Sequence, residues 1–185
     1  MLMLALSLAH GSTPLFNQTL LVVADINNGA LQSSGPPPHT GQGLPISKLS
    51  NRVTIYYSAH DDVLPKSQDL LFLFHNPSYH HRLGLEGPYS FAAGALPANT
   101  CGVDCSSVIT ESVITKLPQV PHGTTSHSSY FYIPQVLSDW AETLSSVPEN
   151  AIMNRVVNPA APAGQSYVMQ LVSPHPATLV RNASV

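Results

Sequence analysis

Two carboxylates and one histidine in this chain have the types and spacing that acid–base chemistry requires. Asp61 and Asp62 follow the run Val53-Thr54-Ile55-Tyr56-Tyr57, separated from it only by Ser58-Ala59-His60. Acidic residues just beyond a buried parallel strand are where open α/β sheets place their working groups. The same position also suits helix capping, because an aspartate oxygen accepts the free N–H groups of a first helical turn. Local sequence leaves both readings open. His127 lies in the polar loop Pro121 to Ser129, directly before an amphipathic helical pattern. An imidazole there, held at Nδ1 by a carboxylate, keeps Nε2 free to take a proton from a hydroxyl nucleophile. Asp61 and His127 are therefore the candidate catalytic couple.

The elements that must position them can be read from pattern. Val53 to Tyr57 is β-branched and aromatic without interruption, as expected of a strand buried on both faces of a parallel sheet. Val63, Leu64 and Lys66 restart a helical pattern, continued by Asp69, Leu70, Leu71, Leu73 and Phe74, with Pro65 acceptable in the first turn. Thr19 to Ala24 reads as a second buried strand, ending in Asp25. Upstream of it, Met1 to Ala9 is composed of good helix formers, and Gly11 with Pro14 makes a helix stop. The cluster SSGPPPHTGQG between Asn27 and Ser50 reads as loop. From Asn76 to Asn99 repeated Pro and Gly exclude any long element, and a short strand is expected at Thr100 to Asp104. Ile133, Val136, Leu137, Trp140 and Leu144 form one apolar helical face. Beyond Pro148 the Pro/Ala/Asn-rich stretch 148–185 is expected to run as an extended, partly mobile tail.

Composition narrows the function classes. The 185 residues suffice for one domain with a real core. Only 9% of them are charged and the formal net charge is −3, so nothing favours nucleic acid or an anionic membrane. No apolar run approaches the ~18 residues that a membrane span needs. Cys101 and Cys105 read as ordinary thiols, a local disulfide being the alternative. His75, His80 and His81 near Asp69 match no metal-ligand spacing, and His122 reads as a polar loop residue. Tyr130, Phe131 and Tyr132 either line a pocket or anchor the final helix. No cofactor or metal is implied.

The series SAHDDVLPKS, RLGLEGP, VDCS and HSSYF leading into VLSDW resembles the carboxyl-terminal half of a bacterial, esterase-like α/β-hydrolase family of mostly uncharacterised members. The similarity covers about residues 1 to 146. On this resemblance residues 1–147 are the C-terminal portion of an α/β-hydrolase domain, with a mostly parallel sheet flanked by helices. The acid falls on Asp61 and the histidine on His127, in the chain order acid then histidine that such triads show. Asp25, within LLVVADIN, falls where the family usually has an acid, one with a less defined role than Asp61. The implied activity is hydrolysis of an ester or related acyl bond in a small-molecule substrate. The sequence departs from the family in two respects: an extra serine stands before Tyr130, and no G-x-S-x-G occurs. In the family that nucleophile turn precedes the helix that MLMLALSLAH resembles. The expectation is therefore a fragment, or a misplaced start codon, with the nucleophile encoded upstream and this chain inactive by itself. Missing early strands would also leave an exposed parallel edge and poor solubility. The alternative is a non-catalytic binding or surface protein that kept the fold; low charge, Pro-rich loops and a Ser/Thr-rich surface suit it.

Overall fold

A computed structural model describes residues 13–33, 40–74, 81–121, 123–161 and 164–171. The expected helix at Met1 to Ala9 lies outside these residues. The described chain forms an α/β fold around a five-stranded, mostly parallel sheet flanked by helices. In chain order the strands are β1 (Phe16–Val22), β2 (Ser50–Tyr57), β3 (Thr100–Asp104), β4 (Arg155–Val157) and β5 (Ser166–Met169). The helices are α1 (Leu44–Leu49), α2 (Leu64–Phe74), α3 (Leu83–Glu86), α4 (Glu111–Ile114) and α5 (Pro134–Leu144). Spatial order is β1-β2-β3-β5-β4, with only the β4–β5 pair antiparallel. Among the described residues no helix is long and apolar enough to cross a membrane.

Strand β2 lies inside the sheet between β1 and β3, and the burial of Val53 through Tyr57 matches the expectation from their composition. Alternate residues serve two cores. Val53, Ile55 and Tyr57 pack with Leu31, Leu83 and Leu96 on one face. Tyr56 packs with Val103, Ile109, Ile133 and Val136 on the other. Strand β1 was expected to be buried but is only half-buried. It has one neighbour, β2, among the described residues, so one long edge carries no partner strand.

The turn Arg82-Leu83-Gly84 ties the ends of β1 and β2 together. Gly84 N–H donates to Ala24 O at 2.9 Å, and Gly84 O accepts from Ser58 N–H at 3.0 Å. A Cβ on Gly84 would overlap the backbone of Val23 and Ala24, so this approach requires glycine. Val23 itself sits at φ +44°, a left-handed conformation uncommon for a β-branched residue.

Two expectations need correction. The stretch beyond Pro148 does not run as an extended tail: β4 and β5 extend the sheet, with Gly102 paired to Ser166 and Val156 to Val168. Residues 172–185 lie outside the described chain. The cause is Arg155, whose guanidinium is buried against Asp139 of α5 and draws β4 onto the sheet. The same pair rotates α5. Its buried face is Val136, Asp139 and Thr143, continuing from Ile133, whereas Leu137 and Leu144 of the expected apolar face are exposed.

Candidate active site

Parallel pairing puts the carboxyl ends of β1, β2 and β3 on one rim of the sheet. Tyr57 is in register with Asp104, so the turn after β2 and the long connection after β3 leave side by side. Hydrogen bonds then fasten the two. Cys105 N–H donates to Tyr57 O at 2.8 Å. Ser106 Oγ donates to Asp104 Oδ1 at 2.5 Å and accepts from Ala59 N–H at 2.9 Å. The connection after β3 passes through α4 and returns to this rim with His127.

There Asp61 and His127 meet. His127 Nδ1 lies 2.8 Å from Asp61 Oδ2. The Asp61 side chain is fully buried, and that of His127 is 31% exposed. Asp61 Oδ1 accepts from the N–H groups of Val63 and Leu64 at 2.9 and 2.8 Å. The capping reading is thus realised on one oxygen, and the other oxygen is left to meet the imidazole. One oxygen fixes the carboxylate to the start of α2, and the other faces the imidazole. A carboxylate can only accept, so the shared proton is on Nδ1 and the neutral ring presents a bare Nε2. No hydrogen bond engages Nε2 among the described residues.

The neighbouring carboxylate holds the loop rather than the ring. Asp62 Oδ1 accepts from Ser126 Oγ at 2.8 Å and from His127 N–H at 3.2 Å, while Asp62 N–H donates to Ser126 Oγ at 2.9 Å. Partial burial works to raise the Asp62 pKa, but the bonds from Ser126 and His127 outweigh it and leave the carboxyl below its ordinary value. The sign follows directly. A depressed aspartate contributes its stabilisation fully above the ordinary value of about 4 and loses it as pH falls through the lower folded value. Below about pH 4 acid titration should accordingly displace the Ser126 and His127 amide NMR signals. An Asp62→Asn chain should lack that transition; an unchanged transition in the variant would mean that another group holds the loop.

The remaining candidates fall elsewhere. Asp25, at the end of β1, accepts from Ser67 Oγ at 2.8 Å. Its other oxygen lies 3.1 Å from buried Arg82 Nε, close enough for an ion pair though not aligned as a hydrogen bond. It braces the rim and does not touch His127. His81 Nδ1 pairs with Glu86 Oε2 at 2.6 Å on the surface. His75, His80 and His122 lie outside the described residues, among which no group of three or more potential metal ligands converges. Tyr130 is fully buried in the core, and Phe131 stacks edge-on against Trp140, so this pair anchors α5. The Tyr130 hydroxyl faces Ser58 without reaching hydrogen-bond geometry, and burial, then the charges of Cys105 and Asp61, push its pKa well up. Cys101 and Cys105 are free and buried, and burial pushes the Cys101 thiol up to about 12, which rules out a ready thiolate there.

Sequence reasoning missed what supports the site. Asp139 accepts from Arg155 Nε and Nη2 at 2.8 and 2.7 Å and from the Tyr56 hydroxyl at 2.6 Å. Arg155 Nη2 also donates to Thr143 Oγ1 at 2.8 Å. Arg52 adds bonds to the carbonyls of Thr143 and Val147, closing the carboxyl end of α5. This network joins β2, which delivers Asp61, to α5, which follows His127. The available signal was Asp139 itself, three residues after Val136 and four before Thr143 on the buried stripe.

Comparison with protein-family models, with curated proteins and with solved structures gives no match to this chain.

Proposed function

We propose that the chain carries the acid and base of a serine-hydrolase triad of the α/β-hydrolase type, acting on an ester or related acyl bond. The observation that supports this most is the 2.8 Å contact between His127 Nδ1 and a carboxylate that is itself immobilised by two backbone N–H groups. In this reading Asp61 selects the tautomer and stabilises the imidazolium as it forms. His127 Nε2 takes the proton of a serine hydroxyl as that oxygen attacks the acyl carbon, then returns it to the leaving alcohol. Water repeats the sequence to release the acid. The hydroxyl comes from a segment outside the described residues, and the resemblance of MLMLALSLAH to the helix after a G-x-S-x-G turn is what points to it. Partly exposed His127 and buried Asp61 fit this division of labour, since the base must meet substrate and the acid must not.

The test is hydrolysis of a small chromogenic ester by a polypeptide in which these residues are joined to the serine-bearing turn. Asp61→Asn and His127→Ala should each remove turnover. Undiminished turnover in either variant overturns the assignment.

A further inference from the structure

Next to the couple, between the turn after β2 and the residues around α4, lies an open cleft of about 710 Å³. That volume falls in the range of small-molecule sites. Neither Asp61 nor His127 lines it, but Asp62 and Ser126 do, so the cleft begins one residue from the imidazole. Six of its lining side chains are serine or threonine hydroxyls; Asp62, Glu111 and His60 add two carboxylates and an imidazole. Ile114 and the threonine methyl groups supply an apolar surface, and among the described residues no lysine or arginine lines the cleft.

We infer that this cleft binds a neutral, polyhydroxylated group such as a sugar ring or polyol. Several of the hydroxyls already donate inward, Ser126 to Asp62, Thr115 to Glu111 O and Thr124 to Pro121 O, which leaves their lone pairs for a ligand donor. The Glu111 carboxylate and the His60 ring make no side-chain hydrogen bond among the described residues, and carboxylates accept only. A ligand that meets this wall must bring many O–H donors. An anion would face two carboxylates, and Lys66, the cation that acts on Asp62, is not among the described lining residues. A cation would find those carboxylates on separate elements and no aromatic face. Ile114 and the threonine methyl groups suit the C–H face of a ring. On the hydrolase reading, on which this role rests, the group is the alcohol portion of the ester.

The experiment titrates the 185-residue chain with methyl glucoside, glucuronate and protonated glucosamine while the NMR signals of the His60 and His127 rings are followed. Methyl glucoside should shift His60 saturably. Glucuronate should bind at least about tenfold more weakly, and Glu111→Gln should narrow that gap. No saturable shift of His60 with methyl glucoside, equal binding of glucuronate, or tighter binding of glucosamine would each overturn the inference. Binding does not depend on turnover, so it should be seen whether or not an ester is hydrolysed. Intact binding with no esterase activity in the polypeptide joined to the serine-bearing turn would count against the hydrolase reading and not against the cleft.

Discussion

His127→Ala should lower ester turnover by about a millionfold and Asp61→Asn by about ten thousandfold, the losses that serine triads show for base and acid. The difference has a local cause. Without the imidazole nothing accepts the hydroxyl proton. With asparagine at position 61 the ring remains, but an amide NH₂ turned towards Nδ1 favours the wrong tautomer. The asparagine oxygen can still accept from Val63 and Leu64, so the start of α2 should survive. Asp61→Ala would lose the cap as well, at a cost of about 1 kcal/mol. Activity lost in Asp61→Asn at unchanged stability therefore separates the chemical role of Asp61 from its capping role. Turnover and urea midpoint measured on the same three variants make that separation.

Asp139→Ala should destabilise the fold by about 3–5 kcal/mol, because it strands a buried guanidinium. Arg155 has no side-chain exposure. Burial alone would lower its pKa, but Asp139 and Tyr56 more than offset that and keep it charged. Removing Asp139 leaves the charge between the rings of Tyr56 and Tyr167 with only Thr143, the tyrosine hydroxyl and a cysteine sulfur as acceptors. The apolar double replacement Asp139→Leu with Arg155→Met should restore much of the loss, since it strands nothing. Urea unfolding of wild type, the single and the double variant checks this. A single-variant loss under 1 kcal/mol would show that the pair is not holding α5 and β4 in place.

Much of the fold was legible because burial dictates composition. Val53 to Tyr57 reads as a buried strand because both its faces meet a core, and Thr100–Asp104 emerges between Pro97 and the loop that follows. Asp61 and His127 were legible individually, by type and position, although 66 residues separate them. Their contact, expected from chain order and the family resemblance, is present; what local pattern did not show is its means, the β2–β3 register and Asp62 fastening Ser126. The ends of the sheet were least legible. In α5 the sequence pattern puts Leu137 and Leu144 inside, whereas the ion pair turns Asp139 inward and leaves both leucines exposed. In β4 the short run Arg155-Val156-Val157 looks like part of a Pro/Ala/Asn-rich stretch, and only its long-range partner makes it a strand. Local pattern cannot register a charge pair formed across 16 residues.

The account stands on Asp61 holding the His127 ring with Nδ1 protonated and Nε2 bare. The most direct measurement is the pair of ¹⁵N imidazole shifts of the neutral His127 ring, in the wild-type chain and in Asp61→Asn. The expected wild-type result is a single neutral tautomer with the proton on Nδ1, lost or mixed in the variant. A wild-type ring that carries its proton on Nε2, or one whose shifts are unmoved by Asp61→Asn, would contradict it.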